Sequence, residues 1–160
     1  MAEFTWRFTM KKAVFIYSPD QLTYKFSDTH PFNHKRLHLT IDLLKNIGAL
    51  NDEDIVPARV ATDEEIALAH DPQYIEIVKK AGHGELTAQQ GEPYGIGTED
   101  TPMFQNMHEA SALLVGGTLQ AVDSVLQGKS QHALNLGGGL HHGFRGRASG
   151  FCIYNDSSVA

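Results

Sequence analysis

The feature of this chain that most constrains its fold is a long helical pattern followed by a short apolar segment and three consecutive glycines. Small and apolar residues recur at helical spacing over residues 105–127, and "HALNL" (132–136) has the length and composition of a strand. The glycines at 137–139 come next. This order of helix, strand and glycine turn is typical of the carboxyl edge of a parallel sheet, where α/β proteins hold functional residues. The sequence therefore predicts an α/β fold with a site at this edge.

Two further elements follow from hydropathy. Residues 13–18, "AVFIYS", form a short apolar run that predicts a buried first strand. Apolar residues spaced three or four apart predict a helix over 33–47.

Gly116 and Gly117 lie inside the predicted long helix, although each glycine costs about 1 kcal/mol of helix stability relative to alanine there. They indicate close packing of this helix against a neighbouring segment.

Capping patterns predict two more helix starts and a loop. Thr62 with Glu65 three residues later forms a capping-box pattern, so a helix begins after Thr62. Asp71 before Pro72 predicts a second start, with Asp71 as the capping acid. Residues 82–104 contain many turn formers and are predicted to be a long functional loop.

Composition limits the classes of partner. The chain has 160 residues, of which 41% are hydrophobic and 20% charged, as is ordinary for a globular protein. Its 13 basic and 19 acidic residues give a net charge of −6 with neutral histidine, which argues against nucleic acid as a partner. The single cysteine allows no internal disulfide, and no apolar run approaches the roughly 18 residues of a membrane span. We therefore expect no membrane association and a cytoplasmic location.

The sequence predicts one domain with a short leading segment. Residues 1–9 lack the apolar core of a secretory signal, and we expect them to be an extension upstream of Met10. Residues 10–160 contain no internal repeat and no linker, so we assign them to a single domain. A last helix is predicted near the end of the sequence, with Asp156 or Ser157 as its cap.

The adjacent histidines His141 and His142 are the strongest candidates for chemistry. In a regular strand their side chains would point to opposite faces, but the preceding glycines let the backbone turn both toward one cavity. One imidazole could then take a proton from water while the other steadies charge. The alternative is a tight turn whose histidines only satisfy hydrogen bonds. A phosphate-binding loop is disfavoured, because no lysine or Ser/Thr follows the glycines at P-loop spacing.

Four stretches of the sequence together resemble a known protein family. They are "VFIYSPDQLTY", "HPFNHKRLHLT", "YGIGTEDTPMF" and "GGGLHHGFRGRASGFCIYND", in this order along the chain. They resemble the zinc-dependent lysine deacetylases of the histone deacetylase superfamily, and more narrowly the bacterial acetoin-utilisation deacetylases. The resemblance implies an arginase/deacetylase-like three-layer α/β/α fold with a parallel sheet, incomplete in this chain.

The resemblance also implies roles for five residues. His142 would be the general base that deprotonates a zinc-bound water, and His141 would assist it electrostatically. Gly150 and Phe151 would line a narrow tunnel for the acyl-lysine side chain, although Phe151 also suits an ordinary core position. Asp100 would accept hydrogen bonds from the substrate backbone at the rim; without the resemblance it would be assigned to a solvated loop.

The remaining candidates are weaker. The resemblance places Arg36 near the internal cavity associated with acetate exit; without it, Arg36 would be a surface charge on the helix. Cys152 is expected to be a small buried side chain. His34 and His38 have a spacing that can hold a metal, but no third ligand accompanies them and a solvated helix face is favoured. No role is assigned to His30, His70, His83, His108 and His132.

The metal ligands are predicted to lie outside this sequence. In the resembled family an Asp-x-His pair and a later aspartate hold the zinc, and a tyrosine binds the developing oxyanion, and none of these positions is matched here. We therefore expect zinc as a cofactor of the complete domain, with residues 10–160 as its N-terminal portion, truncated before the ligands. A parallel sheet without its remaining strands exposes an apolar edge, so we expect the 160-residue chain alone to be poorly soluble or partly ordered.

The function implied by the resemblance is that of the N-terminal part of a zinc-dependent protein lysine deacetylase in acetoin and acetate metabolism. Such an enzyme hydrolyses N-acetyl-lysine to lysine and acetate, and its expected partner is an acetylated metabolic enzyme such as an acetyl-CoA synthetase. An acetylpolyamine-type amidohydrolase is the alternative within the same fold. For the isolated chain, a catalytically inactive binding module is the alternative from another class.

Overall fold

A computed structural model of the chain describes residues 11–33 and 35–160. The predicted extension over residues 1–9 lies outside the described residues. Within them, three parallel strands form one sheet in the order β2-β1-β3, where β1 is Lys11–Ile16, β2 is Ile55–Val56 and β3 is Ser130–Leu134. The α/β fold with a parallel sheet that the sequence predicts is confirmed.

The helices cover most of the predicted helical segments. They are α1 (Lys35–Asn46), α2 (Asp63–Ile66), α3 (Pro72–Gly82), α4 (Ala88–Gly91), α5 (Met107–Leu126) and α6 (Asp156–Val159). Short 3-10 helices lie at Pro19–Thr23, Asp52–Asp54 and Glu92–Tyr94. The predicted long helix is α5, and the predicted first helix is α1. None of the helices in the described part of the chain is long and apolar enough to cross a lipid bilayer.

The sheet lies between helices, so the fold has three layers. On one face Phe15 of β1 packs with Leu37 and Ile41 of α1. Val14 and Ile16, whose side chains point to the other face of β1, are also buried. Helix α5 contacts both β1 and β3 and is the centre of the larger apolar cluster. This arrangement confirms the three-layer α/β/α fold.

The two glycines of α5 allow the close packing that the sequence predicts. A Cβ on Gly116 would lie 2.0 Å from the carbonyl oxygen of Arg59 and 2.6 Å from the backbone nitrogen of Ala61. A Cβ on Gly117 would lie 2.8 Å from the side-chain amide nitrogen of Asn135. Helix α5 is therefore seated directly against the backbone that leads from β2 to α2.

Both helix starts predicted from capping patterns are confirmed, but only one of the two side chains makes the capping hydrogen bond. The Thr62 hydroxyl accepts from the Glu65 N–H at 3.3 Å, and the Glu65 carboxylate accepts from the Thr62 N–H at 2.8 Å, so this capping box is confirmed. Asp71 precedes Pro72 as predicted, but its side chain makes no capping hydrogen bond. Its carboxylate instead accepts from the Nε of Arg145 at 2.6 Å. Asp71 is therefore the N-cap residue of α3 as predicted, but its side chain does not cap the helix, because the ion pair draws the carboxylate toward the histidine loop, residues 135–155.

The predicted loop over residues 82–104 contains a helical turn that sequence reasoning missed. Helix α4 begins after Thr87, whose hydroxyl accepts from the Gln90 N–H at 3.3 Å. The side-chain oxygen of Gln90 accepts in return from the Thr87 N–H at 2.9 Å. This is the same capping-box pattern as at Thr62, so the signal was present in the sequence.

Both long strands lie two residues earlier than predicted. Strand β1 starts at Lys11. An apolar pattern misses its first residues, because the first half of the strand is exposed and carries polar side chains. Strand β3 ends at Leu134 because the side-chain oxygen of Asn135 accepts from the Gly137 N–H at 3.2 Å and starts the turn. Apolar runs alone therefore place both strands too late along the chain.

Candidate functional site

The histidine pair lies on the loop that follows β3. The strand ends at Leu134, and the chain then turns through Gly139, whose φ of +83° belongs to the region that glycine adopts readily. His141 and His142 follow this turn directly. Their position at the carboxyl end of a parallel strand is the one predicted from the sequence.

The two imidazole rings lie side by side. Their centroids are 4.2 Å apart, their planes are inclined by 42°, and both residues are exposed. The Nδ1 of His141 lies 2.9 Å from the carbonyl oxygen of Gly139. A carbonyl oxygen only accepts, so Nδ1 donates and the Nε2 of neutral His141 carries the lone pair. The two rings lie together as predicted, and their shared cavity and catalytic roles stay predictions.

Gly150 makes room for the second imidazole. A Cβ on Gly150 would lie 2.9 Å from the Cγ of His142 and 3.0 Å from its Cβ. The φ of Gly150 is +52°, which also favours glycine. Any side chain at this position would therefore displace the ring of His142.

Phe151 packs against an aromatic cluster next to the pair. Its φ of +69° is uncommon outside glycine, and its carbonyl oxygen accepts from the Tyr24 hydroxyl at 2.6 Å. Its ring centroid lies 4.8 Å from that of His30 and 6.1 Å from that of Phe32. The side chain is only partly buried, and its place in a substrate tunnel stays a prediction.

Asp100 lies on an exposed loop that reaches the same region. It lines a shallow cleft together with Arg147 and Ser149. Gly150 directly follows this wall of the cleft. The structure thus brings Asp100 near the segment that contacts His142, and its binding of substrate backbone stays a prediction.

Arg36 lies on α1 next to the glycine turn. Its Nη1 donates to the carbonyl oxygen of Leu136 at 3.2 Å, and its guanidinium carbon lies 5.0 Å from the ring centroid of Phe32. Together with Tyr24 and Gly137 it lines a narrow crevice, and Arg36 itself is exposed. Its part in acetate release stays a prediction.

Sequence reasoning missed Asn155 and Asp156, which hold the loop in place. Asn155, and not Asp156 or Ser157, caps α6: its side-chain oxygen accepts from the N–H three residues on at 3.0 Å. The carboxylate of Asp156, a residue only 1% exposed, accepts from the N–H of Gly139 at 3.0 Å and of Leu140 at 2.6 Å. No spacing rule predicts these contacts, because the partners are far apart in sequence.

His70, to which sequence reasoning gave no role, is buried and bonds through both ring nitrogens. Its Nδ1 donates to the carbonyl oxygen of Arg145 at 3.3 Å, and its Nε2 accepts from the Asn155 N–H at 2.9 Å. Burial lowers the pKa of His70, although the carbonyl of Arg145 favours the charged ring. The neutral ring is the form that fits, because a protonated Nε2 could not accept. His70 therefore ties the histidine loop to the start of α6.

Two other groups near the loop, the partly buried His108 and the buried Cys152, also favour their neutral forms. Burial lowers the pKa of His108, although the negative charge of Asp63 acts to raise it. The Nδ1 of His108 lies 2.9 Å from the hydroxyl of Tyr154. Burial raises the pKa of the Cys152 thiol, and the expectation that this side chain is buried is confirmed.

The described residues do not form a metal site by themselves. Across residues 11–33 and 35–160, no group of three or more His, Cys, Asp or Glu side chains could hold a metal ion. His38 pairs with Asp42 at 3.2 Å, and its companion His34 lies outside the described residues. The described residues alone therefore do not supply the donor set of a zinc site.

Comparison with known proteins defines the family. The sequence model of the histone deacetylase domain matches residues 30–160. The chain therefore belongs to the histone deacetylase family. It is 63% identical over 151 residues to the acetoin utilization protein AcuC of Bacillus subtilis (strain 168), covering 94% of this chain and 39% of that protein. It is 45% identical over 150 residues to the AcuC protein of Staphylococcus aureus (strain MRSA252), with the same 94% and 39% coverage.

Solved structures agree with this assignment. An HDAC homolog complexed with SAHA matches with a TM-score of 0.84 and 31% sequence identity, covering 93% of this chain and 40% of that one. An HDAC homolog from Aquifex aeolicus gives the same TM-score of 0.84 at 31% identity. The arginase/deacetylase-like fold implied by the sequence is confirmed. The chain spans 39% of the length of the AcuC relatives.

Proposed function

We propose that this chain is part of a protein lysine deacetylase of the acetoin-utilisation type, which hydrolyses N-acetyl-lysine to lysine and acetate. Membership of the histone deacetylase family and similarity to AcuC proteins support a deacetylase in acetoin or acetate metabolism. The observation that carries the proposal is the pair of exposed imidazoles, 4.2 Å apart, at the carboxyl end of a parallel strand.

In this proposal the two imidazoles divide the handling of protons. His142 accepts the proton of the attacking water as general base, and His141 steadies the charge that develops beside it. The Nδ1–H of His141 is already committed to the carbonyl of Gly139, so its Nε2 is the nitrogen left to interact with the reacting groups. Both residues are exposed, which lets water and substrate reach them.

The neighbouring residues position the substrate in this proposal. The acyl-lysine stem lies beside Gly150 and Phe151, where the aromatic ring of Phe151 offers apolar contact. Asp100 accepts hydrogen bonds from the substrate backbone at the cleft that it shares with Arg147. Arg36 borders the path by which acetate leaves.

The proposal extends to a cofactor, a partner and a location. Residues 10–160 form the N-terminal portion of one deacetylase domain, and zinc is the cofactor of the complete domain, held by ligands outside the described residues. We expect the 160-residue chain alone to be inactive. The proposed partner is an acetylated metabolic enzyme such as an acetyl-CoA synthetase, in the cytoplasm.

The test compares two substrates on the full-length protein. An acetyl-lysine peptide and N-acetylspermidine are assayed at equal concentration, before and after removal of metal by a chelator. The proposal predicts faster hydrolysis of the peptide, loss of activity with the chelator and recovery on adding zinc. Faster hydrolysis of N-acetylspermidine would instead assign the protein to the acetylpolyamine amidohydrolases. Hydrolysis of neither substrate would contradict the proposal.

A further inference from the structure

We propose that Asn155 and Asp156 are positioning residues for the histidine pair. Their two side chains bind four backbone groups of residues 139–143 and hold His141 and His142 side by side. The consequence for catalysis rests on the proposed function, whereas the consequence for the geometry of the rings does not.

Asp156 anchors the backbone immediately before the pair. Its carboxylate accepts the N–H groups of Gly139 and Leu140 at 3.0 and 2.6 Å, and it also accepts from the hydroxyl of Thr118. A Cβ on Gly138 would lie 2.5 Å from the Oδ2 of Asp156. The second glycine of the turn is therefore needed to let this carboxylate approach.

A chain of polar side chains fixes the direction of these hydrogen bonds. The Thr118 hydroxyl oxygen accepts from the Nδ2 of Asn135 at 3.0 Å, so its one proton is directed to Asp156. The Oδ1 of Asn135 accepts in turn from the Nε2 of Gln21 at 3.1 Å. The carboxylate of Asp156 thus accepts three hydrogen bonds, from the Thr118 hydroxyl and from the N–H groups of Gly139 and Leu140.

Asn155 anchors the backbone on either side of His142. Its Nδ2 donates to the carbonyl oxygens of His141 and Gly143, at 3.2 and 3.1 Å. Its Oδ1 accepts from the Ser158 N–H at 3.0 Å, which fixes the orientation of the amide. An aspartate at this position would keep the helix cap and would repel the two carbonyls.

These contacts restrict the backbone flexibility that the glycines of the turn allow. The glycine turn lets the backbone bring two imidazoles together, and it does not by itself keep them there. The start of α6 supplies the missing constraint through two consecutive side chains. A displacement of about 1 Å at a catalytic group can cost roughly a hundredfold in rate, so the anchoring has a kinetic consequence.

The experiment uses the full-length protein and two variants that keep side-chain volume. Asn155→Asp retains the cap of α6 and removes both donors. Asp156→Asn places an amide NH2 against the N–H of Gly139 or Leu140. For both variants we expect kcat on an acetyl-lysine peptide to fall by about tenfold or more, with KM within about twofold and a displaced limb of the pH–rate profile.

The control is Thr62→Ala, which removes a confirmed helix cap on α2. It lowers stability through the same kind of contact, and we expect its kcat and pH profile to match those of the wild-type enzyme. Loss of kcat in Thr62→Ala equal to that in Asn155→Asp would mean that general destabilisation explains the effect, and would overturn the proposal.

A second readout does not depend on turnover. Nitrogen NMR of the imidazole ring should find the Nδ1–H form of His141 in the wild-type protein and a mixture of tautomers in both variants. If the wild-type protein hydrolyses no acetyl-lysine, the proposed function fails and this measurement alone decides the positioning role. An unchanged His141 tautomer in folded Asn155→Asp, or unchanged kcat and pH profile in an active enzyme, would overturn the proposal. If Asp156→Asn fails to fold, Asn155→Asp decides, because it retains the cap.

Discussion

At the scale of single residues, positions without side chains determine where the imidazoles lie. Gly139 turns the chain with a φ of +83°, and Gly150 leaves the space that the ring of His142 occupies. The motif "GGGLHHGF" made the pair predictable from the sequence. The contact between His142 and Gly150 was not predictable in its geometry, because it depends on how a loop of several residues closes on itself.

Replacement of Gly150 by alanine tests this space. The added Cβ would lie 2.9 Å from the Cγ of His142, so we expect kcat in the full-length enzyme to fall by about tenfold or more. The control is Gly48→Ala, since Gly48 has a φ of +69° and nothing within 4 Å of an added Cβ. Both variants should lose about 1–2 kcal/mol of stability from the left-handed backbone, and only Gly150→Ala should lose activity. Equal kcat in the two variants would contradict the role of this space.

The lowered pKa of His70 predicts that the free energy of unfolding depends on pH. Burial lowers the pKa of the folded-state ring below its ordinary value of 6.5, so below that pH the unfolded chain binds the proton more readily. The contribution of His70 to the free energy of unfolding is therefore present above pH 6.5 and is lost as the pH falls. Urea unfolding of the wild-type protein and of His70→Asn, at about pH 7.5 and about pH 5.5, measures it. The variant should be less stable at the higher pH and should lose less on acidification; parallel losses would contradict the assignment.

At the scale of elements, local patterns predicted helices well and their tertiary contacts poorly. The period of α5 and the capping box at Thr62 were sufficient to place two helices. Asp71 and Asp156 were both assigned as caps from local sequence, and each binds a group far along the chain instead. Their partners are set by the packing of the histidine loop, which a single sequence does not specify.

The glycines of α5 give a prediction at this scale. Alanine normally stabilises a helix by about 1 kcal/mol relative to glycine. Gly116→Ala should instead destabilise the protein, because its Cβ would lie 2.0 Å from the backbone carbonyl oxygen of Arg59. Gly117→Ala should lose less stability, because its Cβ meets the ends of the Asn135 and Gln21 side chains and not backbone, so the cost is the disturbance of their hydrogen bonds. Thermal melts of both variants measure the difference, and a stabilised Gly116→Ala would rule out the close packing.

At the scale of the whole molecule, the chain leaves apolar surface uncovered along β3. Leu134 is 49% exposed and Leu126, at the end of the neighbouring α5, is 80% exposed. Strand β3 pairs with β1 on one side, and within the described residues no strand pairs with its other side. Apolar edges of this kind promote association.

We therefore expect the 160-residue chain, produced alone, to associate in solution. Light scattering after size-exclusion chromatography should give a mass above that of the monomer, and Leu126→Lys with Leu134→Lys should reduce it. Leu68→Lys is the control, because Leu68 is 74% exposed and does not lie on this edge. A monomer that melts sharply and cooperatively would contradict the expectation.

The most direct test of the account measures kcat of the full-length His142→Ala variant on an acetyl-lysine peptide. A thermal melt alongside the wild-type enzyme shows that the variant is folded. If His142 takes the proton from the attacking water, kcat falls by about a hundredfold or more while KM changes little. Turnover equal to that of the wild-type enzyme would contradict the central claim that this imidazole carries protons in the reaction.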